Sequence, residues 1–417
     1  MQDCKSPEAF LRQLFDRAVE VADPMRSLAA HLPPKPAGRV VVVGAGKASA
    51  RMAEAVEAVW GACEGLVITR YGYGRPCKGI EIVEAAHPVP DAAGLAATTR
   101  MLSLLQGLGE GDFVLALISG GASALLCAPA GDLTLAEKQA VNQALLASGA
   151  PIGQMNVLRK HLSRVKGGQL AAAAHPARML ALMISDVPGD QPAMIGSGPT
   201  VGEASSAQEA AEIARLWGID LPAAAQSALA QSGVIAPQDP RLARVENRIY
   251  AAPSQSLQAA AALAQTLGAR VEILGDALEG EAREVAEAHA ALAQSRQKTK
   301  GEGSLVLLSG GELTVTRRGA GVGGPNAEYC LALALALRGA AGIHALACDT
   351  DGVDGAAEVA GAVIGPDTLV LAAQKGLSAA EALAQNDAHH FFGGIGAQVV
   401  TGPTLTNVND FRAILIL

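Results

Sequence analysis

The sequence predicts an α/β protein of two lobes, and three observations carry that prediction. Apolar runs of strand length alternate with helical stretches along most of the chain. Two of those runs, FVLALISGGASALL and LVLLSGGELTV, finish on one triplet: Ser119-Gly120-Gly121 and Ser309-Gly310-Gly311. A chain of 417 residues is too long for one ordinary core, so two domains are expected. In open α/β sheets ligands bind at the carboxyl ends of strands. Glycine lets backbone N–H groups turn toward an anion there, and serine adds a donor. Two such ends far apart in the chain point to two lobes serving one anionic ligand.

Composition agrees and excludes other classes. Aromatic residues are only 3% while hydrophobic residues are 50%, so the core must be built from Ala, Leu and Val. The 47 glycines and 21 prolines are spread along the chain, as many strand–loop–helix junctions require. A net charge of −8 argues against a nucleic-acid partner. No apolar run reaches a membrane span, and the N-terminus lacks the basic-then-apolar order of a signal peptide. Six cysteines lie at 4, 63, 77, 127, 330 and 348 with no CxxC pair. Cys127, Cys330 and Cys348 sit in apolar runs and read as buried free thiols, so a reducing, cytoplasmic setting is expected.

In chain order, Ser6-Pro7-Glu8 followed by Phe10, Leu11, Leu14, Phe15, Ala18 and Val19 reads as a capped amphipathic helix. RVVVVGAGKAS gives strand, glycine turn and helix start. Strands are expected at 66–69, 81–84, 113–118 and 178–184, and helices at 92–107, 134–148 and 155–174. This alternation is that of a parallel-rich sheet with helices on both faces. IYAAPS and RVEILGD form two further strand–loop units around a helix at 254–267. Segment 285–303 ends polar and charged and reads as a surface connection. A second lobe starts at 304, with strands near 304–308, 312–317, 343–348 and 397–400. The expected domains are therefore 1–235 and 301–417, with middle units 236–300 that could join either.

Several stretches carry chemistry. Gly44-Ala45-Gly46-Lys47-Ala48-Ser49 follows a four-valine strand, but Ser49 replaces the third glycine of a dinucleotide fingerprint. Thr69 and Arg70 stand where the acidic residue of that fingerprint belongs, and Val41 replaces the first glycine of a Walker loop. What remains is an anion-friendly helix start with Lys47 at its mouth. From Asn156 to Gly168 five potential cations, Arg159, Lys160, His161, Arg164 and Lys166, crowd one short helix, either as an anion site or as a solvated face. Asp186 and Asp190 follow the run MLALMI, and Gly196-Ser197-Gly198 comes soon after. Carboxylates at a strand end suit magnesium and phosphate oxygens, though Asp and Gly also serve turns for backbone reasons. A second acidic cluster, Asp349, Asp351 and Asp354, closes another strand; it lacks the terminal carboxylate of a calcium loop. The glycine-rich stretch 319–326 either covers a nucleotide or is a mobile connection. His389 and His390 point different ways on helix or strand, which speaks against a shared metal.

Taken together, these stretches resemble the glycerate 2-kinase family, of the tartrate-utilisation type once called hydroxypyruvate reductase. VVVGAGKAS, HPVPD (His87 to Asp91), SGGASALL, LRKHLSRVKGG, SDVPGD, GSGPT, SGGE, CDTDGVDG and TGPTLTNVND match in order over nearly the whole chain. The resemblance implies an N-terminal Rossmann-like domain, a smaller α/β C-terminal domain and an active site in the cleft between them. It implies transfer of the γ-phosphoryl of ATP to the 2-hydroxyl of D-glycerate, with Mg2+ and with a homodimer allowed. One departure stands out: where many members carry Arg in a GGRNQE-like string, this chain reads GGPNAE, with Pro325. A guanidinium offers bidentate phosphate contacts that proline cannot, so either the charge comes from elsewhere, such as Arg159, Lys160 or Lys166, or the chemistry is altered.

The roles expected on this basis are as follows. Lys47 stabilises transition-state charge or the substrate carboxylate. Ser119, Gly120, Gly121, Ser123, Arg159 and Lys160 hold the acid. Ser309, Gly310, Gly311, Glu312, Gly323, Gly324, Asn326, Thr404 and Asn407 serve the nucleotide. Asp186 and Asp190, or Asp349 and Asp351, bind magnesium or accept the hydroxyl proton; Asp186 and Asp351 are taken as catalytic, Asp190 and Asp349 as metal ligands. Two other readings stay open. One is an NADPH-dependent hydroxypyruvate reductase, with Arg70 on the 2′-phosphate. The other is a metabolite sensor without turnover.

Overall fold

The structure, a computed structural model, describes residues 6–355 and 357–417, so Cys4 lies outside the described residues. By its contacts the chain divides into two units: Pro24–Asp186 with Asp190–Tyr250, and Met1–Asp23 with Val187–Gly189 and Ala251–Leu417. Among the described residues no helix is long and apolar enough to cross a membrane.

The first unit is built on a sheet of six strands, β1 (Val40–Ala45), β2 (Glu64–Arg70), β3 (Ile80–Ala85), β4 (Phe113–Ile118), β5 (Arg178–Ile184) and β6 (Val245–Ala251), in the order β3-β2-β1-β4-β5-β6. Strands β1 to β5 run parallel. Every residue of β1 and of β4 is buried, which is why both read as unbroken apolar runs rather than alternating ones. The chain winds outward from β1 through β2 and β3, and from β4 through β5. The loops that follow β1 and β4 therefore part in opposite directions, the topological switch point where such sheets take ligands. This parallel-sheet unit also carries a helical layer. Val141 and Leu145 from helix Leu135–Ser148, Leu158 from Ile152–His161, Ala210 from Ala207–Leu216 and Leu229 from Ala223–Ala230 share one apolar core.

The helix expected over 155–174 is two helices, Ile152–His161 and Gln169–Ala173. Gly167 and Gly168 take positive φ of 56° and 79° between them, a conformation that breaks a right-handed helix. Helix Ile152–His161 already ends at its cap Leu162, so Arg164 and Lys166 leave the helix face that carries Arg159 and Lys160.

The second unit holds β7 (Arg270–Gly275), β8 (Gly280–Glu281), β9 (Leu305–Gly311), β10 (Leu313–Thr314), β11 (Ile343–Asp349), β12 (Gly361–Ile364), β13 (Gln398–Val399) and β14 (Asp410–Ile416). Six of them form a sheet in the order β13-β12-β11-β14-β9-β7. Within that sheet β7 and β9 pair in parallel and the other pairings are antiparallel, while β8 and β10 form a separate parallel pair. Alternation along the strands supplies two cores. Leu305, Leu307, Ile414 and Ile416 pack with helices Ala282–Thr299 and Pro325–Leu337. Val306, Leu308, Ala413 and Leu415 pack with Phe10, Leu14 and Phe15 of helix Pro7–Ala22, and with Leu257 and Ala260 of Pro253–Thr266.

This mixed-sheet unit departs from the expectation in four places. The run 410–416 is a strand, β14, in the middle of the sheet, where none was expected. The strand expected at 312–317 covers only Leu313–Thr314. Segment 285–303 is largely the helix Ala282–Thr299, whose Ala286, Ala290 and Ala293 are buried at helical spacing, so it is no surface connection. The expected domain limits also move. Val245–Tyr250 stays with the parallel-sheet unit, Ala251–Thr299 belongs to the other, and so does the first helix of the chain.

Candidate active site

At the switch point the two glycine turns interlock. Gly46 has φ +143°, and a methyl group placed on it would lie 2.0 Å from Ser119 Oγ. Only glycine lets the β1 loop approach the β4 loop so closely. The Lys47 N–H donates to Gly120 O (2.8 Å), and the Ala48 N–H donates to Ser119 Oγ (3.1 Å). Ser49 Oγ donates to Leu117 O (2.9 Å) and lies 3.1 Å from Ser119 Oγ, while Thr69 Oγ1 donates to Gly46 O (3.1 Å). Ser119 and Ser49 are fully buried. The hydroxyl expected to meet a ligand therefore fastens the two loops instead. Ser49, filling the third fingerprint position, is spent in the same way. Arg70 stacks on the Tyr73 ring at 5.3 Å.

Gly121 turns outward from this knot with φ +83°. A methyl group on it would sit 3.1 Å from His87 Cδ2 and 3.2 Å from Lys47 Cγ, so Lys47, His87 and Gly121 converge. Beside them opens a cavity of about 580 Å³. Its walls are the loop His87–Pro90, Gly121–Ala124, one face of helix Leu135–Ser148, and the side chains of Arg159 and Lys166. Lys138, from that helix, also lines it, and among the described residues no Asp or Glu does.

Burial sets the electrostatics of this basic wall. Lys138 Nζ donates to Leu162 O (2.8 Å), and burial followed by the Arg159 charge pushes its ammonium down to about 8. Lys166 Nζ donates to Ser123 O (2.9 Å) and Leu126 O (3.0 Å). Burial first, then Lys138 and Arg159, push it down to about 7. An anion in the cavity would restore the charge of both. Ser123 Oγ lies 2.8 Å from Ser197 Oγ, which reaches Asn156 Oδ1 at 3.3 Å, and Arg159 donates to the same oxygen at 3.4 Å. Ser123, Gly121 and Arg159 are thus brought together as expected. Lys160 is not among them: it is buried against Glu203 in an ion pair. Lys138, Asn156, His87 and Ser197 join the site without having been singled out as site residues. His87 and Ser197 stand inside quoted motifs, whereas Lys138 sits in a helix that reads as ordinary.

Asp186 is half-buried just beyond β5. Asp190, with φ +49°, has a buried Oδ1 that no donor reaches. In the mixed-sheet unit Asp351 is fully buried, and its Oδ1 accepts the Val353 N–H (2.8 Å). Asp349 Oδ1 accepts the Asp351 N–H (2.9 Å). Asp354 caps the helix Pro325–Leu337 from outside it, taking the N–H groups of Asn326 (2.9 Å) and Ala327 (2.8 Å). Among the described residues no three His, Cys, Asp or Glu side chains gather as a metal cluster. Asp190, with its unpartnered oxygen, is the carboxylate whose surroundings best fit a cation.

The second triplet differs from the first. Ser309, Gly310 and Gly311 lie within β9 and pair with Arg412, Phe411 and Asp410 of β14, so the strand does not stop before them. At Gly311, φ +103°, a side chain would collide with the Leu278 backbone at 2.2 Å. Arg412 is buried and donates to Gly310 O (3.1 Å) and Gly311 O (2.6 Å). Glu312 is exposed. The glycine-rich loop is tied down: Arg318 and Gly319 donate their N–H groups to Asn386 Oδ1, and Val322 donates to Asp387 Oδ1. Gly323 and Gly324 lead from it into the helix that carries Asn326, whose Nδ2 donates to Asp410 Oδ1 (2.6 Å). Thr404 N–H donates to Asp351 O, and Asn407 Oδ1 accepts the Asn409 N–H. His389 is buried against Asp354, whereas His390 is exposed against Asp387, so the two share no site.

The fold and the cavity define a two-unit α/β protein with a basic cavity beside the switch point of its parallel sheet. Residues 10–230 match a family described as a domain of unknown function (DUF4147), and residues 305–410 match the MOFRL family. The chain is 36% identical over 424 residues to the D-glycerate 2-kinase of Thermotoga maritima, covering 100% of both. It is 51% identical over 420 residues to an Agrobacterium vitis protein provisionally named hydroxypyruvate reductase, covering 99% of this chain and 95% of that one. A crystal structure of glycerate kinase from Thermotoga maritima matches with a TM-score of 0.88 at 35% identity, over 98% of this chain and 99% of that one. The chain belongs to the glycerate 2-kinase family.

Proposed function

We propose that this protein phosphorylates the 2-hydroxyl of D-glycerate with ATP, giving 2-phosphoglycerate and ADP, in the cytoplasm. The observation that carries the reading is the switch point itself: Lys47, His87 and Gly121 converge beside a cavity whose charged lining is wholly basic. Phosphoryl transfer asks for positioning and for cations on the phosphates more than for covalent help. In the proposed step the 2-oxygen of glycerate bonds to the γ-phosphorus as the bond to the β,γ-bridging oxygen breaks. ADP leaves with that electron pair. Lys47, at the mouth of the β1 loop, stabilises charge on the transferring group. Asp186, half-buried at the end of β5, takes the hydroxyl proton; Asp351 is too enclosed for that task and holds its own turn. Magnesium, when bound, would neutralise phosphate oxygens; Asp190, whose buried Oδ1 no donor reaches, is the carboxylate proposed to hold it. Arg159 and Lys166 supply the cations at the cavity of the parallel-sheet unit.

The reductase reading finds less support, because Ser49 stands where the third glycine of a dinucleotide fingerprint belongs and its hydroxyl is spent on Leu117 O and Ser119 Oγ. The test is a coupled ATP assay with D-glycerate that separates 2-phosphoglycerate from 3-phosphoglycerate. Lys47→Ala should lower kcat by about 10²–10³-fold, the loss typical of one charge-stabilising donor. A 3-phospho product, or full activity in Lys47→Ala, would refute the assignment. Consumption of NADPH with hydroxypyruvate would restore the alternative.

A further inference from the structure

We infer that the cavity of the parallel-sheet unit is the nucleotide site, with the phosphates of ATP on Lys138, Arg159 and Lys166 and its base between Val89 and Leu146. This rests on the kinase reading and reverses the expected division of labour, in which the first triplet held the acid. Three features of the cavity point this way.

The first is size. About 580 Å³ falls in the range of roughly 300–1,000 Å³ that suits a drug-sized ligand. A three-carbon acid would leave most of it to water. The second is charge. Three cations with no carboxylate among the lining residues exceed what one carboxylate needs and match a polyphosphate. Lys138 and Lys166 spend donors on the carbonyls of Leu162, Ser123 and Leu126, and an ammonium has three. Each keeps at least one for a ligand.

The third feature is the opposite wall. Val89 and Leu146 are 59% and 66% exposed, and they flank the cavity with Pro88 and Pro90. Asn142 and Gln143 stand on the same helix as Leu146 and offer both donors and acceptors to a heteroaromatic ring. Gln139 Nε2 donates to Pro90 O (2.6 Å) and so fixes the helix to the loop before any ligand arrives. Apolar walls with a few placed polar groups at one end, and cations at the other, are the chemistry of a nucleoside polyphosphate. In the mixed-sheet unit, by contrast, the glycine-rich loop is occupied by its bonds to Asn386 and Asp387.

The experiment uses the full chain, with ADP titrated by calorimetry and KM measured separately for ATP and D-glycerate. Leu146→Glu places a charge at an exposed helix position, where folding should tolerate it. It is expected to weaken ADP binding and raise KM for ATP by about tenfold or more, with KM for D-glycerate at saturating ATP changed less than about twofold. ADP should also slow hydrogen exchange in segment 135–148. Val370→Glu, equally exposed in the other unit, should change none of these. A raised KM for D-glycerate with ADP affinity intact would give the cavity to the acid and overturn the proposal, as would unchanged behaviour of Leu146→Glu with no exchange protection. Failure of the kinase reading looks different: the unaltered protein would make no 2-phosphoglycerate, whatever its affinity for ADP.

Discussion

Arg159 and Lys160 are neighbours in sequence with opposite fates. Arg159 lines the cavity, while Lys160 is 5% exposed and paired with Glu203. Burial alone would push the Glu203 carboxyl up, but the Lys160 ammonium and the Ser205 N–H hold it below its ordinary range. Removing one partner of such a buried pair leaves an uncompensated charge, at a cost of about 3–5 kcal/mol. Lys160→Met should therefore lower Tm strongly, and adding Glu203→Leu should recover much of the loss. In both proteins kcat/KM per folded molecule should stay close to that of the unaltered enzyme. Lost turnover with an unchanged Tm would instead return Lys160 to the substrate. The run of five cations was legible in the sequence; the division of labour within it was not. The partner of Lys160 lies 43 residues downstream, and the end of the helix at His161 leaves Lys166 off it. Lys138 was illegible for a related reason, since a lone lysine in a helix becomes a cavity residue only through packing.

At the scale of elements, the parallel strands were easy to read because burial on both faces leaves each as an unbroken apolar run. The β1 and β4 loops were recognisable as glycine turns, but the purpose of their small residues was not. Gly46 looks like a phosphate glycine and serves as a seat for Ser119. Gly46→Ala would force its methyl group against Ser119 Oγ and strain a backbone at φ +143°. We expect a cost of about 2–4 kcal/mol, more than a surface Gly→Ala change brings, read as a lower urea midpoint with m unchanged. Turnover should fall as well, because Lys47 is the next residue. A midpoint equal to that of the unaltered protein would dismiss the interlock. Strand β14 escaped notice for a different reason. It follows a polar loop, and its place between β9 and β11 is set by non-local pairing.

At the scale of the whole molecule, chain order and contact order disagree, and helix Pro7–Ala22 is where they do so most. It precedes β1 in sequence, yet its Phe10, Leu14 and Phe15 are fully buried in the core formed by β9, β11 and β14. Phe15 stacks on Phe411 with ring centroids 5.9 Å apart and an interplanar angle of 57°. Ser256 and Thr406 hydroxyls bind the carbonyls of Ala18 and Ala22, fastening the helix along its length. A sequence pattern shows that this helix has an apolar face but cannot show which sheet the face covers, since both units offer apolar strands. Phe15→Ala should cost about 3–5 kcal/mol through the cavity it leaves. The loss should be local to one unit: amides of β9, β11 and β14 should exchange faster, while those of β1 and β4, though nearer to the mutation in sequence, should keep their protection. Hydrogen exchange read by mass spectrometry separates the outcomes. Equal loss in both units would mean that they unfold as one, and loss in β1 and β4 alone would place the helix with the wrong sheet.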